Sequence, residues 1–306
     1  MPIPTIIIHG GAGTLHPDRL TPVKRDTILT GLRRALAAGQ RVLAEAGTAL
    51  DAVIAAVSAL EDDPSFNAGR GSVFTAAGTM EMDAALMEGH SARLGALTGI
   101  CGPRNPIAAA RLVMDRSPHV LLAGQPALDF LRAQNAPFEP PEYFATDDRR
   151  LALTQFLAHK APADDFDRHG TVGAVALDAQ GHLAAAASTG GMTGKHPGRI
   201  GDTPIAGAGT WADTHCAVSA TGHGESFIRT AAAHEIAARI RLAGQSLATA
   251  ADAALAAVAA LGGDGGLIAL DRHGNYTLPF NSRGMYRGLA QSTQPPRVAI
   301  YAEQPA

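Results

Sequence analysis

The stretch TVGAVALDAQGHLAAAASTGG, Thr171 to Gly191, constrains the fold of this chain more than any other segment. It reads as two strands joined by a turn at Asp178 to Gly181. Small side chains run through both strands, so another layer of structure can approach them closely, as a close-packed interior requires. The hairpin therefore points to stacked layers.

The flanking segments supply the partners. Ile6 to Ile8 form a short apolar strand that meets a glycine turn at His9, Gly10 and Gly11. Thr21 and Pro22 have the chemistry of a helix cap and first helical residue, and the apolar pattern Leu29, Leu32, Leu36 and Val42 carries that helix toward Gly47. A second helix places Leu50, Val53, Ile54, Val57 and Leu60 on one face and ends before Pro64. Further helices are expected from Pro106 and Pro126. Strands are expected at Gly71 to Thr75, Glu81 to Met87 and Leu94 to Ile100.

After the hairpin, alanine-rich helices are expected at Glu225 to Leu242 and Ser246 to Leu261. Strands return at Leu267 to Asp271, Tyr276 to Pro279, Met285 to Leu289 and Val298 to Tyr301. This order suggests two sheets between helical layers, and other α+β folds fit it as well. The stretch from Pro141 to Gly170 is polar and weakly periodic, and its end, about 156–170, reads as a mobile connector.

Bulk properties exclude several classes. Of 306 residues, 46% are hydrophobic and 17% charged, which suits a chain with a substantial core. A formal net charge of -3 points away from nucleic acid. Cys101 and Cys216 are too few for a disulfide framework and lack zinc-site spacing. The opening MPIPTIIIHGGAG has no signal-peptide pattern, and no run of about 18 apolar residues occurs. A cytoplasmic protein without a membrane span is expected.

The chemistry concentrates where the connector meets the hairpin. A threonine hydroxyl needs a base within hydrogen-bond reach, and an α-amino group, with a pKa near ~7.7–8.0, can serve. Thr171 acquires such an amine if the Gly170–Thr171 bond breaks, and Gly170 has no side chain to obstruct attack on its carbonyl. Thr189 closes the paired strand. Thr221, in SATGHGE, together with the Gly222 amide would make a donor pair for an oxyanion, or Thr221 would cap the helix near Glu225.

Arg199 and Asp202 lie in a glycine- and proline-rich loop, so helix spacing does not explain their pairing. They would clamp a substrate's α-carboxylate and α-ammonium, or simply pair with each other. Asn67 would support a nucleophile or bond its own turn. His9, Gly10 and Gly11 would cradle an anion or reverse the chain. TGGMTGKH fails as a phosphate loop, because Thr189 holds the first glycine position and His196 replaces Ser or Thr. His234 and Glu235 begin a zinc-protease pattern whose second histidine position is Ala238. No G-x-S-x-G elbow occurs, and the 12 histidines are scattered without metal-ligand spacing.

Taken together, HGGAG, FNAGRGSVFT, HGTVGAVALD, ASTGGMTGKHPGRIGD and ATGHGE resemble the plant-type L-asparaginases, or isoaspartyl aminopeptidases, of the N-terminal nucleophile hydrolases. The resemblance spans most of the chain, with the connector unmatched. It implies an α+β fold of the four-layer αββα sandwich type, a single domain self-cleaved into an α subunit, 1–170, and a β subunit, 171–306. It further implies a dimer of αβ heterodimers. Thr171 would match the nucleophile, Thr189 the threonine that tunes it, and Thr221 with Gly222 the oxyanion site. Arg199, Asp202 and Gly224 would match substrate anchors, and Asn67 a support for the nucleophile. Backbone carbonyls of Leu60, Glu61, Asp63, Phe66, Ala68 and Arg70 would match a structural sodium site, and the Gly10 turn a region that influences self-cleavage.

Three positions depart from the family's common pattern and bear on substrate preference: Ala187 replaces threonine, Gly194 replaces asparagine, and His223 separates the two binding glycines. The implied activity is hydrolysis of β-aspartyl dipeptides and L-asparagine to L-aspartate, with no organic cofactor. A glycosylasparaginase, a non-catalytic amino-acid-binding protein and a nucleotide-binding enzyme using HGGAG are the competing readings.

Overall fold

Successive side chains on a strand point to opposite faces, and in this protein that alternation decides what the central hairpin touches. The computed structural model describes residues 2–13, 20–159, 169–291 and 294–302; residues 160–168 of the expected connector lie outside the described residues. The amino-terminal part runs β1 (Thr5–Gly13), α1 (Pro22–Ala44), α2 (Ala49–Glu61), β2 (Met82–Glu88), β3 (Leu94–Ile100) and α3 (Pro106–Arg116). It continues with β4 (Leu121–Ala123), α4 (Gly124–Ala133), α5 (Pro141–Phe144) and α6 (Asp147–His159). The hairpin is β5 (His169–Leu177) and β6 (Leu183–Met192). Then come β7 (Thr210–Ala212), β8 (Cys216–Gly222), α7 (Gly224–Thr230), α8 (Ala232–Ala243) and α9 (Leu247–Ala260). The chain finishes with β9 (Gly265–Asp271), β10 (Tyr276–Thr277), β11 (Gly284–Gln291) and β12 (Arg297–Ala299).

The strands form an eight-stranded sheet, β12-β11-β1-β5-β6-β2-β3-β4, and a four-stranded sheet, β10-β9-β8-β7. Pairing is antiparallel except between β3 and β4. On one face of the large sheet, Ile6, Ile8, Val172, Ala174 and Ala176 pack with Leu32, Leu36, Val53 and Val57 of the first two helices. Their neighbours on the opposite face, Ile7, Val175 and Leu177, pack with Ala217, Ile268 and Leu270 of the smaller sheet. That sheet's other face, through Val218 and Leu267, meets Phe227, Ile236, Leu255 and Val258. The odd-numbered hairpin residues, Thr171 and Thr189 among them, therefore face the second sheet.

The helix caps agree with the sequence: the Thr21 side chain accepts from the Lys24 amide, and the Ser246 side chain accepts from that of Thr249. Four expectations need correction. β1 does not turn at His9; it pairs with β11 through Gly13, with a register shift between His9 and Gly11 that bends the strand without ending it. Gly71 to Thr75 is not a strand, because its amides close the Asn67 loop: Ser72 donates to the Gly69 carbonyl and Val73 to Asn67 Oδ1.

The expected helix Glu225 to Leu242 is two helices broken at Ala231, which has φ 47°. The amides of Ala233 and His234 bond the carbonyls of Ala208 and Gly207, so the loop before β7 competes for donors that open α8. The connector also carries more structure than its composition suggests, since α5 and α6 occupy 141–144 and 147–159.

Candidate active site at the Gly170–Thr171 bond

Thr171 on β5 and Thr189 on β6 are cross-strand partners. The Thr171 hydroxyl donates to Thr189 Oγ1 at 3.2 Å, and Thr189 Oγ1 donates to the Gly170 carbonyl oxygen at 2.9 Å. Thr189 Oγ1 also accepts from the Gly191 amide at 2.9 Å. Its proton and both lone pairs are thus committed, which fixes the hydroxyl's orientation.

Asn67 reaches the same carbonyl from the loop after α2. Its Nδ2 donates to Gly170 O at 2.8 Å and Gly191 O at 2.7 Å, while its Oδ1 accepts from the Val73 amide at 3.0 Å. Both expected roles are therefore filled, turn and nucleophile support, by one buried amide. The fit depends on absent side chains: a Cβ on Gly170 would meet Asn67 Cβ at 2.8 Å, and one on Gly11 would meet Gly170 Cα at 3.0 Å. A cavity of about 260 Å³, bordered by Gly10, Gly11, Asn67, Gly170 and Tyr286, opens on the Gly170 side of the bond.

Thr221 and Gly222 end β8. Thr221 is not a helix cap; the cap position of α7 is His223, and Thr221 Oγ1 instead accepts from the Ala12 amide at 3.2 Å. That contact uses a lone pair and leaves the hydroxyl proton to donate. Gly222 has φ 144°, and a Cβ there would press on the Asp264 carbonyl, so only glycine presents this amide without strain.

The charged clamp differs from expectation. Arg199 does not pair with Asp202; its Nε and Nη2 donate to the two carboxylate oxygens of Glu225, each at 2.9 Å. This fork holds the Glu225 carboxyl down at about 2. Asp202 is buried, and burial pushes its carboxyl up to about 7 against the pull of Arg199. Its Oδ2 has no hydrogen-bond partner among the described residues. A Cβ on Gly224 would lie 2.9 Å from Asp202 Oδ1 and 3.0 Å from Arg199 Nη2, so Gly224 keeps the space beside both groups open. His223 Nε2 lies 3.4 Å from Glu225 Oε2 at the exposed rim.

Sequence reasoning missed the groups that join this site to the rest of the fold. His9 accompanies no turn: Nδ1 lies 2.8 Å from the Thr171 carbonyl oxygen and Nε2 lies 2.8 Å from Ser219 Oγ. Burial drives its imidazole down to about 3, so it is neutral. Asp83, the partner of Thr189 across β2 and β6, accepts from Thr98 Oγ1 at 2.6 Å, and burial raises its carboxyl while the Lys195 charge opposes the shift. Lys195 donates to the Glu81 carbonyl at 2.5 Å. The alternation of Ser219 and Thr221 in CAVSATG was the available signal that β8 turns two hydroxyls to one face. Nothing local identified their partners.

Among the described residues, no group of three or more His, Cys, Asp or Glu side chains is arranged to hold a metal ion, and no helix is long and apolar enough to cross a membrane.

A strand-borne threonine beside a carbonyl that two fixed donors already grip is the arrangement of a hydroxyl-nucleophile amide hydrolase. The chain belongs to the asparaginase family, whose model matches residues 2–300. It is 46% identical to an isoaspartyl peptidase of Salmonella typhimurium, over 97% of this chain and 98% of that one. Identity to an isoaspartyl peptidase of Escherichia coli is 45%, over 98% and 96%. A human isoaspartyl peptidase/L-asparaginase is 41% identical, over 92% and 91%.

Proposed function

We propose that this protein is a self-activating threonine hydrolase that releases L-aspartate from β-aspartyl dipeptides and L-asparagine. The observation that carries the reading is the Gly170 carbonyl oxygen, which accepts from Asn67 Nδ2 and Thr189 Oγ1 while the Thr171 hydroxyl stands beside Thr189. Attack by Thr171 Oγ1 on the Gly170 carbonyl carbon places negative charge on that oxygen, where both donors stabilise it. The Oγ1–C bond forms, the C–N bond breaks, and the hydroxyl proton passes to the departing nitrogen. Water then hydrolyses the ester, leaving a Gly170 carboxylate and a free Thr171 amine.

That amine is the general base for external substrates. Thr171 Oγ1 attacks the side-chain amide carbon of the aspartyl group, with the Thr221 hydroxyl and Gly222 amide receiving the oxyanion. The leaving amine takes the proton, and water attacks the acyl-enzyme with the same base assisting. Arg199 holds the α-carboxylate, and Asp202 the α-ammonium, which satisfies the unpartnered Asp202 oxygen. Gly224 leaves room for both. His223, at the rim, contacts the leaving portion. The threonine hydroxyl and amine supply nucleophile and base, so the reaction calls for no organic cofactor.

The reading includes a single domain with an αββα layering, cut into 1–170 and 171–306, assembled as a dimer of αβ pairs and working in the cytoplasm. The three separate cores support the layering. The loop from Leu60 to Arg70 suits a sodium ion held by the carbonyls of Leu60, Glu61, Asp63, Phe66, Ala68 and Arg70. It doubles back through an Arg70 amide to Glu61 carbonyl bond of 2.8 Å, and a carbonyl that accepts once keeps a second lone pair for a hard cation. Sodium there would brace the Asn67 loop.

Intact mass after incubation, beside a Thr171→Ala variant, tests the reading. Fragments meeting at Gly170 and Thr171 in the parent alone, followed by aspartate release, are expected. A parent that stays uncut and inactive overturns it.

A further inference from the structure

The nucleophile and the oxyanion donors of the proposed reaction stand on different sheets: Thr171 on β5 of the large one, Thr221 and Gly222 on β8 of the small one. Their separation must hold to a fraction of an ångström, because a misplacement of about 1 Å costs ~10²-fold in rate. Apolar packing between sheets sets a spacing but no hydrogen-bonded register. His9 spans the gap. The Thr171 carbonyl only accepts, so Nδ1 carries the proton and donates to it, and the Ser219 hydroxyl donates to Nε2. The ring is fully buried.

The surrounding sequence accommodates this bridge. Gly173 is the cross-strand partner of His9, and a Cβ there would overlap both His9 Nε2 and Ser219 Oγ. Three residues further along β1, the Ala12 amide donates to Thr221 Oγ1. One strand therefore holds Thr171 by its carbonyl, Ser219 by its hydroxyl and Thr221 by its oxygen.

We infer that His9 is a positioning residue for catalysis, tying the backbone of Thr171 to β8 so that the nucleophile and the Thr221–Gly222 oxyanion site keep their register. The inference rests on the Thr171 reading above and deepens it. Once the Gly170–Thr171 bond is cut, the new terminus loses its covalent anchor at nitrogen, and the bond from His9 to the Thr171 carbonyl carries more of the burden. Charge plays no part, since burial keeps the ring neutral.

His9→Gln, His9→Asn and Ser219→Ala in the full chain test this. A glutamine amide follows Nε2 toward Ser219 and abandons the Thr171 carbonyl; an asparagine amide overlays Nδ1 and keeps that donor. For matured protein acting on a β-aspartyl dipeptide, kcat should fall about 100-fold in His9→Gln with KM within about threefold of the parent. His9→Asn should recover to within about 10-fold, and Ser219→Ala should lose about 5-fold in kcat at unchanged KM. Unchanged kcat in His9→Gln overturns the inference, as do losses that follow each variant's drop in Tm instead of the donor retained. If the His9 variants do not fold, Ser219→Ala decides: unchanged kcat overturns the inference, and the stated loss supports it. A parent that neither cuts itself nor hydrolyses the dipeptide removes the underlying reading, whereas an active parent with indifferent variants removes this inference alone.

Discussion

Asn67 donates to the carbonyl oxygen of Gly170 at 2.8 Å across 103 residues of chain. The same oxygen accepts from Thr189 at 2.9 Å, so two donors await the charge that self-cleavage would place there. Removing one such donor typically costs ~2.7–4 kcal/mol. Asn67→Ala should therefore slow first-order self-cleavage about 10²- to 10³-fold, followed by intact mass. Retention of the parent rate would mean that this amide serves only its loop.

Gly170→Ala should slow cleavage for a steric reason. The added Cβ meets Asn67 Cβ at 2.8 Å and displaces the amide from the carbonyl it holds. A loss of at least about 10-fold in the cleavage rate is expected, with turnover by any matured fraction unchanged because residue 170 has left the nucleophile. Equal impairment of both steps would contradict that separation.

Asp202 gives a pH signature. Its carboxyl sits at about 7 when folded, against 3.8 ordinarily, so ammonium binding should strengthen as pH rises toward about 7 and level off above it. KM should fall roughly tenfold per pH unit below that point, and the dependence should vanish in Asp202→Asn, which binds poorly throughout.

The same shift has a stability consequence of opposite sense. A carboxyl whose folded pKa is raised binds more protons in the native state, so its destabilising effect is absent below about pH 4 and complete above about pH 7. Asp202→Asn should thus melt higher than the parent at pH 8 and equally near pH 4. Each kcal/mol recovered is worth about 2 °C in a domain of this size. A lower Tm at pH 8 would show that the charge is compensated in the folded state.

Glu225 orients Arg199 through a two-bond fork. Glu225→Ala should leave the guanidinium unaimed and raise KM about 10-fold, with kcat within about threefold. Steady-state kinetics on L-asparagine check this. A lowered KM would instead make Glu225 a competitor for the substrate carboxylate.

Much of this protein was legible along the chain. The small-residue hairpin, the caps at Thr21 and Ser246 and the apolar stripes of α1 and α2 follow from local rules of side-chain size, capping and periodicity. The Gly-Thr junction, the threonines 171, 189 and 221, and the charged loop at Arg199 and Asp202 were visible for the same reason: each is a chemical type in a recognisable neighbourhood. What tertiary structure decided was which of these groups meet. His9 looked like part of a turn and is a bridge to Ser219, 210 residues away. Arg199 looked like a partner for Asp202 and is held by Glu225, while Asp202 is left buried with an unpartnered oxygen. The division is physical: local preference is set by a residue and its near neighbours. A hydrogen bond between distant strands depends on register and sheet separation, which exist only once the whole core has packed.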